Sequence, residues 1–406
     1  MRIKKVSIEN FKCFKAVDLD LGKLTLLTGA NSSGKSSILY SILGALQSGE
    51  FPYQFSPNGK YVNMGNFRDI SYKHLKDNII KIGINIVEDK KEGSLYTLWE
   101  EDKVRKLPSL NRLRWETAWY ELDIVKGDKY TVHLKKLDEP IKKNSFNFDD
   151  FDQILKLTAL ENDDFTYDTF QDLEIVISRL DDRINFINSF RLFPERTYYE
   201  TTKTDLTVGK FGEDYVNQII LWETQKAKEY KELVNIMKEL SLMEEIKSRR
   251  LDGGRFELVV KVNKNSVPAS LNDVGFGISQ FLPIIVADLQ LGKESTLFVA
   301  QPEIHLHPSV QAEFGSYMVN RIKDSKKNYI IETHSEYLLN RIRLAIVKGE
   351  IPKEDVKIYY LQNDGEDTQT HPLEFTTDGR ILDAPEDFFK TYQMDVMNIA
   401  MGADGE

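Results

Sequence analysis

Apolar residues near the N-terminus alternate with polar ones. Val17, Leu19 and Leu21 are separated by Asp18 and Asp20, and Ile3, Val6, Ile8 and Phe11 follow a looser alternation in β-prone residues. Both patterns predict strands with one buried face. A short apolar run over 23–28 predicts a third, buried strand that runs into a Gly-rich turn. The period then changes. Ile38, Leu39, Ile42, Leu43 and Leu46 recur at helical spacing and predict a helix over 36–47. Strands are predicted again over 79–86 and 95–99.

From about Leu107 to Arg250 the texture differs. The four tryptophans, Trp99, Trp115, Trp119 and Trp222, lie in or beside this stretch, and an acidic segment runs through Asp149, Asp150, Asp152, Glu161, Asp163 and Asp164. Residues 214–249 contain no Pro or Gly and are rich in Lys, Glu and Leu, which predicts one long helix. The stretch reads as a mainly helical insertion, either a solvated arm or a recognition surface for a partner. Strand character resumes over 255–262, with a turn at 263–265. An apolar helix is predicted from Ser279, buried strands over 296–299 and 329–332, a helix from Glu336, and late strands over 356–361 and 371–375. The last six residues are expected to fray. Three units follow: an N-terminal lobe over 1–106, the insertion over 107–250 and a C-terminal lobe over 251–406.

Composition narrows the class. The chain has 406 residues, 41% hydrophobic and 29% charged, which is globular rather than disordered. A lone cysteine, Cys13, excludes a disulfide scaffold and a cysteine zinc site and fits a reducing cytoplasm. No apolar run reaches the roughly 18 residues of a membrane helix, so no membrane partner is expected. The net charge of −10 argues against a general coating of DNA-binding charge, although a local basic groove stays open.

Residues 29–36, Gly-Ala-Asn-Ser-Ser-Gly-Lys-Ser, match the phosphate-binding pattern G-x-x-x-x-G-K-[ST] in full. Gly29 and Gly34 let the backbone N–H groups of Asn31, Ser32, Ser33 and Ser37 wrap a phosphate. The following helix aims its positive end at the same anion. Lys35 is expected on the β- and γ-phosphates of ATP and the Ser36 hydroxyl on Mg²⁺.

The opening Ile8-Glu9-Asn10-Phe11-Lys12-Cys13-Phe14, ahead of this loop, resembles the ABC-type ATPases of the RecF, SMC and OLD groups. In those proteins a small β-subdomain precedes the loop. Val274-Gly275-Phe276-Gly277-Ile278-Ser279-Gln280 looks like the family's signature segment. Thr296 to Pro308 looks like its Walker B strand and D-loop, and Ile331-Glu332-Thr333-His334 like its switch-histidine segment. The resemblance implies an α/β fold: a P-loop NTPase of ABC-ATPase head type, two lobes split by a mainly helical insertion. It implies an ATP sandwich in which the loop of one chain and Gly275, Gly277, Ser279 and Gln280 of a second share one nucleotide. His305 and His307 are assigned to interface contacts rather than metal.

One departure stands out. The family's Walker B acid falls at Ala300, and its catalytic glutamate at Gln301. Alanine cannot hold Mg²⁺ through water, and glutamine orients water but is a poor base. Either Ala300 was introduced to trap nucleotide, or the switch is naturally impaired in hydrolysis. Gln301, Glu303 and His334 are the expected catalytic residues. The function expected is a cytoplasmic ATPase acting as a dimerisation switch that controls a separate nuclease or toxin effector in anti-phage defence. Higher oligomers and DNA as a partner stay open. The alternative is a RecF-like repair ATPase that binds DNA directly, and a transporter subunit is the weakest reading.

Overall fold

A computed structural model describes residues 2–49, 51–88, 91–136, 143–148, 173, 175–180, 183–199, 207–382 and 384–385. The acidic segment at 149–164 and the last six residues lie outside these.

The centre is a mostly parallel sheet. Its strands are β3 (Leu24–Gly29), β10 (Ile184–Ile187), β15 (Thr296–Ala300), β16 (Asn328–Glu332), β17 (Val356–Asn363), β18 (Thr368–Phe375) and β19 (Ile381–Leu382). The order is β10-β15-β16-β3-β17-β18-β19, parallel through β17 and antiparallel beyond it. Every residue of β15 and β16 is buried. Both faces of these strands are covered, which is why apolar residues run without alternation through Leu297–Val299 and Tyr329–Ile331.

Side-chain alternation sends the two faces to two cores. Leu27, Phe298, Ala300 and Ile330 join one cluster with α1 (Lys35–Leu46). Leu26, Val299, Tyr329 and Ile331 join the other. That second core is built from α2 (Tyr215–Gln225), α3 (Lys228–Glu239), α4 (Phe276–Gln290), α5 (Pro308–Ser325) and α6 (Glu336–Val347).

The first core is closed by an antiparallel sheet of eight strands. It runs β2 (Phe14–Asp20), β1 (Arg2–Phe11), β4 (Ile80–Glu88), β5 (Lys91–Glu101), β6 (Pro108–Thr117), β7 (Tyr120–Lys126), β8 (Tyr130–Lys136) and β9 (Lys143–Phe148) in space. A small third sheet joins β11 (Tyr198–Tyr199), β12 (Glu245–Leu251), β13 (Arg255–Lys261) and β14 (Ala269–Ser270).

The α/β architecture around a phosphate loop is the one expected. Among the described residues, the helical character expected over 107–250 is found at 215–239 but not at 108–136 or 143–148. Residues 108–136 and 143–148 extend the N-terminal sheet, with Leu110, Leu113, Trp115, Leu122, Ile124, Val132 and Leu134 buried on one face. Their two-residue period is a strand signal masked by the dense charge on the opposite face. The single helix expected over 214–249 is two helices and a strand. Lys226 turns left-handed at φ 55, and its N–H bonds the Glu223 and Trp222 carbonyls. Ser241 turns again at φ 56 before β12 pairs with β13. Non-glycine residues hold both breaks, so no Gly or Pro marks them. No helix among the described residues is long and apolar enough to cross a membrane.

Candidate nucleotide site

The phosphate loop leaves the C-terminal end of β3 and enters α1. Gly29 sits at φ 136, and a Cβ there would meet the Leu361 carbonyl oxygen at 2.1 Å. Gly34 sits at φ 96, and a Cβ there would meet the Cys13 Sγ at 2.7 Å. Only glycine meets both demands. Ser33 and Lys35 are buried, and Asn31 and Ser32 are exposed. The Lys35 ammonium donates to the carbonyls of Gly29 at 3.1 Å and Ala30 at 2.6 Å. Burial pulls its pKa down, while Glu332 and Glu303 push it back.

A cleft of about 430 Å³ opens on this loop, lined by Lys12, Cys13, residues 31–37, Gln301 and Glu332. The structure thus brings Asn31, Ser32, Ser33, Gly34, Lys35, Ser36, Ser37 and Gln301 together. Gly29 contributes its carbonyl to Lys35. Lys12, Cys13 and Glu332 were missed as site residues. Lys12 and Cys13 stood in the motif that carried the family resemblance, but that motif said nothing of where they point. Cys13 is half-buried and the sole cysteine. Its alkylation by a maleimide is therefore expected to slow at least tenfold when ATP fills the cleft, as read by intact-mass spectrometry. Unchanged labelling would place the nucleotide elsewhere.

Behind the loop, Gln301 follows β15 in a left-handed turn at φ 46. Its N–H donates to the Glu332 carbonyl at 2.7 Å. Glu303 lies deeper. Its carboxylate accepts from the His334 N–H at 2.6 Å and the Thr333 hydroxyl at 2.9 Å. Burial raises its pKa, and those bonds together with Arg191 oppose the rise. Glu303 is thus bonded to the segment after β16 and is not among the residues that line the cleft. His334 is exposed. Partial burial and Lys35 lower its pKa, which favours the neutral imidazole.

The signature residues lie apart from the cleft, at the start of α4. Gly275 is the exposed N-cap, and a Cβ on Gly277 would strike the His305 carbonyl at 2.7 Å. Ser279 and Gln280 depart from the expectation of outward phosphate contacts. Both are buried. The Ser279 hydroxyl donates to the Phe276 carbonyl at 2.9 Å, and the Gln280 amide to the Leu192 carbonyl at 3.2 Å. A serine one turn into a helix satisfies its hydroxyl on its own helix, so what this end offers outward is backbone N–H. His307 caps α5 by accepting from the Ser309 N–H. Among the described residues, no group of three or more His, Cys, Asp or Glu is placed to hold a metal.

A fourth residue escaped the sequence reading. Arg191 is 2% exposed. It donates to the carbonyls of Asn188 at 3.0 Å, Gln280 at 2.8 Å and Gln301 at 2.7 Å. Burial pushes its pKa down to about 10, against the pull of Glu303. One guanidinium thus ties α4 to the turn after β15. Arg191→Ala is expected to cost about 2–4 kcal/mol in urea unfolding, because buried carbonyls lose a charged donor. A loss within 0.5 kcal/mol would show that water replaces it.

Comparison with known proteins bears on this geometry. A family model described as AAA ATPase domain matches residues 1–339. A second, described as a protein of unknown function (DUF3696), matches residues 351–398. No curated protein matches. Among solved structures, the SMC head domain from Thermotoga maritima is similar at 11% identity and a TM-score of 0.45, covering 92% of this chain and 100% of its own. The Smc head domain with an extended coiled coil, bound to the C-terminal domain of ScpA, from Pyrococcus furiosus is similar at 12% identity and a TM-score of 0.44. It covers 92% of this chain and 96% of its own.

Proposed function

The chain belongs to the AAA ATPase domain family, and on that premise we propose that it is an ATP-driven association switch. The observation that carries this reading is the convergence of Lys35, Ser36, Gln301 and Glu332 on one cleft at the end of β3. The loop backbone and Lys35 bind the phosphates. Oxygen donors suit Mg²⁺, and the Ser36 hydroxyl would supply one. The ion, when bound, neutralises charge on the terminal phosphates. Gln301 orients water without serving as a strong base, so turnover is slow and weakened further by Ala300. His334 reads the γ-phosphate.

The second half of the sandwich comes from another copy. Phe190, Leu192 and Phe193 are exposed at 64%, 45% and 67%. Phe193 stacks on Phe276 at 4.9 Å between centroids, and Phe276 meets His305 edge-on at 4.7 Å. This apolar group borders the exposed start of α4, and such groups suit a protein contact. ATP then supplies differential affinity for the closed pair. By resemblance to ATPase subunits of anti-phage modules, the closed pair controls a separate nuclease or toxin chain.

Mass photometry with and without ATP–Mg²⁺ tests the reading. A shift from one copy to two that needs both ATP and Lys35 is expected. A single mass under all conditions would refute the association switch. Tight DNA binding with a steep salt slope, and no effector chain recovered alongside, would move the assignment to a RecF-like repair ATPase.

A further inference from the structure

The carboxylate absent at position 300 has a counterpart one strand away. β15 and β16 run parallel, and Ala300 pairs in register with Glu332. Register partners on adjacent parallel strands point to the same face, and here that is the face toward α1. β16 lies between β15 and β3, so a side chain at its end starts one strand nearer the phosphate loop than one at position 300. Glu332 uses that position. It is 5% exposed, and its Oε2 accepts from the Ser36 hydroxyl at 2.8 Å. It also lines the cleft with Lys35, Ser36 and Gln301.

A glutamate buried this far without a partner would be costly. Burial does raise the Glu332 pKa, while the Ser36 hydroxyl and Lys35 hold it back. The Ser36 hydroxyl bond places this side chain beside the one hydroxyl that the loop motif assigns to a metal. Gln301 cannot take this part. It carries no charge, and its backbone is committed to the Glu332 carbonyl.

We propose that Glu332 is the carboxylate of the Mg²⁺ site, acting with Ser36 in place of the acid missing at position 300. The inference rests on the nucleotide-binding reading above and names a residue that no motif assigned. Mg²⁺ keeps most of its waters and takes one or two carboxylates beside phosphate oxygens. A single glutamate that reaches the Ser36 hydroxyl meets that requirement without a third protein ligand.

The test measures affinity for a fluorescent ATP analogue in EDTA and in Mg²⁺, for the parent protein and Glu332→Gln. The substitution keeps shape and the bond to Ser36 but removes the charge. The parent is expected to bind at least tenfold more tightly in Mg²⁺ than in EDTA. Glu332→Gln is expected to match or exceed the parent in EDTA and to lose the Mg²⁺ gain to within threefold. A gain kept in full by Glu332→Gln overturns the inference. Failure of the parent to bind the analogue at all would instead sink the nucleotide reading. A second measurement needs no variant: Fe²⁺ in place of Mg²⁺, with ascorbate and peroxide, should cut the backbone at 35–37 and 331–333 in the ATP complex. Cuts at 35–37 without any at 331–333 overturn the inference independently.

Discussion

Lys35→Ala is expected to weaken ATP binding about ten- to a hundredfold and to abolish ATP-dependent pairing. A charged hydrogen bond to phosphate contributes about 1.5–3 kcal/mol, and 1.4 kcal/mol is a factor of ten. No other side chain of the loop carries positive charge. Lys12 lines the same cleft but comes from the turn between β1 and β2, outside the loop. The ammonium also ties the loop together through Gly29 and Ala30, so part of the loss comes from a looser cradle. Lys35→Met, which keeps the length of the stem but also lacks the ammonium, separates loss of stem packing from loss of the ammonium. Isothermal titration with ATP–Mg²⁺ reads the affinity, and mass photometry reads the pairing. If both variants bind ATP as the parent does, the cleft is not the nucleotide site.

Asp288→Ala is expected to destabilise the fold by about 3–5 kcal/mol. Asp288 is fully buried near the end of α4. Its carboxylate faces Lys327 at 3.2 Å, Arg321 at 3.1 Å and the Tyr329 hydroxyl at 3.0 Å, and it also bonds Tyr317. Lys327 is 2% exposed. Removing the carboxylate leaves that ammonium buried without its charge partner, which is the costly way to break a buried pair.

The pH dependence gives a second readout with a defined sign. Burial already lowers the Lys327 pKa, and Asp288 is the main force raising it. Without Asp288 the folded-state pKa falls further below its unfolded value. Between those two values the unfolded chain binds the extra proton, so stability rises with pH. The variant should therefore recover part of its loss between pH 7 and pH 10, whereas the parent should recover less. Asp288→Ala combined with Lys327→Met should regain stability at neutral pH, because it removes the stranded charge. Urea unfolding at both pH values decides this. A variant within 1 kcal/mol of the parent at pH 7 would mean that water enters the pocket and solvates the lysine.

The network also has a place in the proposed switch. Asp288 fastens the far end of the signature helix to α5 through Tyr317 and Arg321, and to β16 through Tyr329. The other end of β16 carries Glu332. Arg191 fastens the near part of the same helix to the turn at Gln301. The helix that would meet a second copy is thus tied at both ends to the strands that frame the cleft.

Local features were readable from the chain alone. The phosphate loop is eight consecutive residues, and its two glycines and lysine carry their meaning by spacing. The buried strands read at 296–299 and 329–332 were visible because both faces are covered, so that Leu297, Phe298 and Val299, and Ile330 with Ile331, stand in unbroken apolar runs. The departure at Ala300 was visible for the same reason, since a motif read in sequence shows what is missing from it. The strands β6–β8 carried a two-residue period that could have been read, but charged residues on the open face concealed it. The breaks at Lys226 and Ser241 had no local mark at all, because packing of Trp222 and pairing of β12 with β13 set them.

Where the missing charge is replaced was decided only by folding. Ser36 and Glu332 stand 296 positions apart, and Arg191 reaches carbonyls 89 and 110 positions away. Such partners share no spacing that a pattern could capture. They meet because a parallel sheet places the end of β16 beside the end of β3, and parallel neighbours are chosen by crossover connections rather than by adjacent residues.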